Sequence, residues 1–213
     1  MHKQNGVMPP ECGAGRQSHA MRLISVNVGR VREIAVGQRH VRSAIGKRGV
    51  AHAVAVQPLG LEGDEQADLS VHGGLSKAVY AYPVEHYPFW QTVRAQARVS
   101  LWDEVMPPGS LGENLTLEGL LESGAWIGDV LRFPHCALAV SEPRMPCFKF
   151  NAAMGFAHAG KLMAQSGWCG YYLAVLEAGS IEAGQSFVVE PGAREVRIDE
   201  LFRARVPRPR SSA

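Results

Sequence analysis

Leu138-Ala139-Val140-Ser141-Glu142-Pro143-Arg144-Met145-Pro146-Cys147-Phe148-Lys149 is an apolar, alternating run that turns into a loop carrying two prolines, two cations and one cysteine. The alternation predicts a strand. Proline cannot donate to a sheet ladder and drives the residue before it towards extended geometry. The strand is therefore expected to end near Ser141 and to feed a stiff loop that presents Cys147 in a fixed pose. Arg144 precedes the cysteine by three residues and Lys149 follows it by two. Nearby cations favour thiolate over thiol, the form that attacks electrophiles and binds soft metals. The other reading of Cys147 is a small buried apolar side chain.

Outward from this loop the chain reads as short strands separated by glycine turns. Arg22 to Val28 alternates and opens the fold, with Val31 to Val36 as the second arm of a hairpin. Ala51 to Val56, Ala78 to Tyr82, a short strand after Asn114, Trp126 to Phe133, Ala137 to Val140, Tyr171 to Leu176 and Ser186 to Val189 follow. Pro83 is placed to start a helix reaching Ala97, its aromatic stripe packed on a sheet. Asn151 to Gln165 reads as a helix interrupted by Gly155 and Gly160, and Val196 to Phe202 as the first turns of another. The expected fold class is mainly β with helical insertions, a barrel.

The chain has 213 residues, enough for one domain with a proper core. With 20% charged residues, 46% hydrophobic ones and a net charge of +2, it sits with ordinary globular proteins, and neither nucleic acid nor membrane is indicated as a partner. No apolar run is long enough to span a bilayer and no signal peptide is recognisable, so the expected location is cytoplasmic. Cys12, Cys136, Cys147 and Cys169 show no paired spacing, which speaks against a zinc site or a disulfide framework. Residues 1–20, without any hydrophobic period, are expected to be a disordered tail.

Three shaped loops each follow or precede a strand. The first carries His72, Gly73, Gly74 and Lys77, the second Glu113 and Asn114, and the third Ser141, Arg144, Cys147 and Lys149. A double glycine lets the backbone approach a ligand closely, or simply makes a turn. Glu113 and Asn114 either orient a polar ligand or close their own turn. A barrel that brought these loops together would form an anion-binding pocket containing one thiolate.

The segments Gly63-Asp64-Glu65-Gln66-Ala67-Asp68, Val71-His72-Gly73-Gly74 with Lys77, Tyr82-Pro83 with Glu85-His86-Tyr87 and Trp90, Gly112-Glu113-Asn114-Leu115-Thr116, Ile127-Gly128-Asp129, and Ser141 to Cys147 with Lys149 resemble the MOSC domain, the C-terminal domain of molybdenum cofactor sulfurases. The arrangement is similar to stand-alone bacterial members of the YiiM type and covers roughly residues 22 to 200. The resemblance implies a MOSC barrel over residues 21–193. It also implies a C-terminal three-helix domain, of which residues 194–213 would hold only a remnant and a basic tail.

It further implies that the domain binds the molybdenum cofactor (molybdopterin), with Cys147 as the metal's protein ligand and catalytic centre. Lys77, Arg144 and Lys149 would hold the pterin or its phosphate, with Gly73 and Gly74 close to it. Asn114 and Ser141 would bond its edges. His72 would supply a proton, hold the cofactor or play a structural part. The implied activity is reduction of N-hydroxylated bases or other small N-oxygenated substrates, with electrons from an external donor protein and a homodimer as a candidate assembly. The alternatives are a cofactor or persulfide carrier without turnover of its own, and a redox-sensing thiol.

Overall fold

The computed structural model describes residues 21–67 and 73–206. The expected tail over 1–20, His72 and the basic tail beyond Val206 lie outside the described residues. In chain order the elements are β1 (Arg22–Val28), β2 (Arg32–Val36), β3 (Arg39–Ser43), β4 (Arg48–Gly49), β5 (Val54–Gln57), β6 (Gly60–Leu61), β7 (Val79–Pro83), α1 (Tyr87–Gln96), β8 (Leu115–Glu118) and β9 (Val130–Arg132). They continue with β10 (Ala137–Pro143), α2 (Phe148–Met154), α3 (Ala159–Ser166), β11 (Tyr171–Glu177), β12 (Gly179–Ile181), β13 (Val188–Glu190) and α4 (Ile198–Arg205).

Eight strands form one sheet in the order β13-β9-β10-β11-β7-β8-β1-β4. Within it β7 and β8 run parallel, which requires a crossover, and α1 is that crossover. The two sides of the sheet meet through the residues leading into β13. The Leu23 N–H donates to the Gln185 carbonyl at 2.9 Å and the Phe187 N–H to the Met21 carbonyl at 3.1 Å, with Arg22 bridged to Ser186. These bonds curl the sheet into a barrel. Its interior holds Leu23, Val26, Leu115, Leu117, Leu131, Leu138 and Leu173, all at 0% exposure. Burying such a side chain contributes about 1.5–3 kcal/mol before entropy is counted.

Several expectations need correction. β2 pairs with β3 rather than β1, because β1 is already flanked by β4 and β8. The β2–β3 hairpin turns at Gly37-Gln38, where Gly37 has φ 60° as the first central residue of a two-residue loop. β10 runs past Ser141 to Pro143, which pairs with Tyr171. Proline is tolerated there because β9 covers only Ala137 to Ala139, so the other side of β10 has no ladder left to break. Pro83 ends β7, and a 3-10 turn, Val84–His86, separates it from α1, which has Pro88 in its first turn. Of Trp126 to Phe133 only Val130–Arg132 is strand.

The expected helix from Asn151 begins earlier, at Phe148, and splits in two. Gly155, at φ 82°, is the left-handed cap of α2, whereas Gly160 sits inside α3 without breaking it. α4 packs Ile198 and Phe202, both fully buried, and its Arg205 reaches Glu142 on β10 at 3.3 Å. Among the described residues no helix is long and apolar enough to cross a membrane.

Candidate functional site

β10 and α2 are joined by Arg144 to Cys147, so the end of a barrel strand and the start of a helix together fix this loop. Cys147 occupies the residue before α2 with extended backbone (φ −124°, ψ 165°) and is partly exposed. Phe150, one turn on, is fully buried and anchors the helix.

Arg144 is 4% exposed. Its guanidinium lies 5.0 Å from the Tyr80 ring centre and 4.9 Å from that of Phe150, with Nη1 3.8 Å from the Met163 sulfur. Among the described residues it has no carboxylate partner. Burial disfavours its charge, but Tyr80, Tyr172 and the Cys147 sulfur outweigh that and hold its pKa above the usual arginine range. The residue is thus a permanent cation in an aromatic box.

A cavity of about 100 Å³ opens beside it, and Gly73, Lys77, Asn114, Arg144, Cys147 and Lys149 all line it. The three loops picked out in the sequence therefore converge. Lys77, on the 3-10 turn Leu75–Lys77, has its ammonium 3.8 Å from Glu142 and 5.9 Å from the Tyr172 ring centre. Gly73 has φ 134°, backbone that only glycine adopts without strain.

Two candidates stand apart from the cavity wall. Ser141 donates its hydroxyl to the Ser76 carbonyl, tying β10 to the 3-10 turn, and Gly74 caps that turn. Asn114 lines the cavity, but its amide is committed. The oxygen accepts the Tyr80 N–H at 3.1 Å, and the nitrogen donates to the Asn27 carbonyl at 3.2 Å and to Asp64 Oδ2 at 2.9 Å. Glu113 is wholly buried. It accepts from the Gly109 and Leu111 N–H groups at 2.7 and 3.1 Å and from the Tyr87 and Thr116 hydroxyls, so it closes its own turn. Burial pushes its carboxyl up, and the hydrogen bonds from Tyr87, Gly109 and Thr116 only partly offset that.

The cavity also has members that sequence reasoning missed. Lys47 precedes β4 and turns its side chain inward to pair with Asp64, the two side chains being 8% and 4% exposed. Asp64 Oδ1 also accepts the Gly29 N–H at 2.8 Å. Burial lowers the Lys47 pKa, which Asp64 and then Glu113 partly restore. No local signal marks Lys47, which sits in an aperiodic stretch and is placed by the pairing of β4 with β1. Tyr80 and Tyr172 complete the wall, and burial raises the pKa of both phenols.

One cavity on this β-barrel thus gathers a thiol and four cationic side chains. Residues 68–188 match the model of the MOSC domain, and the chain belongs to that family. Within it the chain is YiiM-like: YiiM of Escherichia coli (strain K12) is 34% identical over 158 residues, 74% of this chain and 68% of that protein. The solved structure of YiiM from Geobacillus stearothermophilus superposes with a TM-score of 0.67 at 32% identity, covering 85% of this chain and 82% of that one. A protein named reductase from Gibberella moniliformis (strain M3125 / FGSC 7600) is 34% identical over 165 residues, 77% of this chain but 28% of the fungal protein.

Proposed function

We propose that the cavity binds the molybdenum cofactor and that the protein reduces N-hydroxylated bases or related N-oxygenated compounds, in the cytoplasm, with electrons from a separate donor protein. The observation that carries this reading is the placing of Cys147 and the buried Arg144 on one cavity, with Lys77 and Lys149 beside them. The fit is chemical. Among the described residues no cluster of three or more His, Cys, Asp or Glu is arranged to hold a bare ion. One sulfur among cations suits a metal that brings further sulfur ligands and a phosphate tail with it. A relative named reductase and the YiiM likeness point the same way.

When bound, the cofactor supplies two-electron oxygen-atom chemistry. Cys147 would hold the metal through its thiolate. Arg144, immobilised between Tyr80 and Phe150, would orient the anionic part, with Lys77 and Lys149 adding charge nearer solvent. His72 remains a candidate proton donor from sequence alone. Asn114 acts indirectly, since it fastens Asp64 and the Tyr80 strand.

The test is molybdenum content by mass spectrometry of wild-type and Cys147→Ser protein from a host that makes the cofactor. The expected result is near-stoichiometric metal in the wild type and a severalfold loss in the variant, followed by turnover of an N-hydroxylated purine with an artificial reductant. Metal-loaded protein without turnover would move the reading to a cofactor carrier. Absence of metal from the wild type, with the host's supply confirmed, would move it to a persulfide carrier or redox thiol.

A further inference from the structure

Lys47 plays no part in the residue assignments above, yet it faces the same cavity as Cys147. A lysine is an expensive residue to bury. Here three loops, after β1, after β6 and before β8, are committed to holding it. Asp64 receives the ammonium, and Asp64 is itself fixed by the Gly29 N–H at 2.8 Å and the Asn114 amide at 2.9 Å. Asn114 is in turn locked to Tyr80 and Asn27. An arginine would give a more durable cation for binding an anion, and the site already has one in Arg144. What lysine adds is a proton that can leave.

Resting on the reductase reading, we propose that Lys47 is the proton donor of the cavity, protonating the oxygen that departs from the substrate, with Asp64 as its positioning residue. The step balances as R–NHOH + 2 H⁺ + 2 e⁻ → R–NH₂ + H₂O. The N–O bond breaks, the oxygen leaves as water after taking the Lys47 proton, and the nitrogen takes the second proton from solvent. Two electrons come from a one-electron donor acting twice, and solvent restores the Lys47 ammonium.

Asp64 pairs with Lys47 and the charge of Glu113 also reaches it, while Glu65 lines the cavity with its carboxylate accepting the Val31 N–H at 2.6 Å. Lys77, Arg144, Cys147 and Lys149 line the cavity with it, together with the phenols of Tyr80 and Tyr172. Desolvation lowers the Lys47 pKa from its ordinary 10.5, and Asp64 raises it back in part. The donor is active when protonated, so turnover should decline as pH rises through this pKa. Removing the Asp64 charge should move the decline to lower pH.

The experiment compares wild-type, Lys47→Arg and Asp64→Asn holoprotein, with an N-hydroxylated purine as substrate and reduced methyl viologen as donor, across pH. Arginine keeps the charge but does not release a proton. Lys47→Arg is expected to keep wild-type molybdenum content, to turn over about 10²-fold more slowly or worse, and to lose the alkaline decline. Asp64→Asn should show the decline at lower pH. Independently of turnover, [¹³Cε]lysine NMR of the full chain, which has five lysines, should show a signal that titrates below the ordinary lysine value of 10.5 and is missing in Lys47→Arg.

Wild-type rate and an unchanged decline in Lys47→Arg, or a Lys47 signal titrating at or above the ordinary 10.5, would overturn the assignment while leaving the reductase reading intact. Loss of molybdenum from Lys47→Arg would make Lys47 part of the cofactor's hold and overturn its role as donor. Loaded wild-type protein that does not turn over the purine would overturn the reductase reading, and the donor role with it.

Discussion

Arg144 illustrates what single residues contribute. Two aromatic faces and a methionine sulfur surround its charge. A buried charge carries a desolvation cost, and because Arg144 has no carboxylate partner among the described residues its removal strands no opposite charge. Arg144→Met is therefore expected to leave the unfolding free energy, measured in urea, within about 1 kcal/mol of wild type or above it. Cofactor affinity should fall about tenfold or more, the scale of a lost charge-assisted hydrogen bond. A variant that is no less stable yet unloaded would identify a residue kept for binding. At this scale the sequence was informative where chemistry is local: Arg144, Cys147 and Lys149 share one loop. It did not separate wall from scaffold. His86, Tyr87 and Trp90, quoted with the family-like segments, all fasten buried groups, as His86 does to Glu122 at 2.8 Å and Trp90 to the Tyr82 hydroxyl at 2.6 Å.

Among the elements, β7 and β11 depend on a glycine just before β11. Gly170 has φ 63°, and a Cβ there would lie 2.4 Å from the Ala81 carbonyl oxygen and 2.8 Å from the Tyr80 ring. Its N–H also donates to Glu122 at 2.7 Å. Gly170→Ala should cost about 1–2 kcal/mol for the left-handed backbone and about 1–3 kcal/mol for overpacking. The denaturation midpoint would report both together. Strands with a clear alternation, such as β1 and β10, were legible within a residue or three. β3 was not, because Arg39-His40-Val41-Arg42-Ser43 belongs to a mostly exposed hairpin and carries no apolar face to betray it. β4, β6 and β12, two or three residues each, exist only through their pairing partners.

For the whole molecule, barrel closure and the composition of the cavity both depend on contacts distant in sequence. A barrel was inferable from the number of short strands, but the joining of residues 184–187 to β1 was not, since neither stretch carries a mark of the other. Lys47 was invisible for the same reason. The cations around the cavity set a further expectation. Glu142 sits 3.8 Å from the Lys77 ammonium and 3.3 Å from Arg205 of α4, and its other oxygen accepts the Ser76 hydroxyl at 3.3 Å. Glu142→Gln removes a negative charge beside Lys77. It should tighten binding of an anionic ligand by up to about fivefold at low salt, an effect that fades as ionic strength rises.

Glu142 thus answers to two masters. One is a lysine on the cavity wall, the other an arginine on α4. Anything that drew α4 aside would release the carboxylate to Lys77 and blunt the attraction the cavity offers to an anion. A tug on α4 would be felt, through one shared side chain, as a change in grip at the cavity.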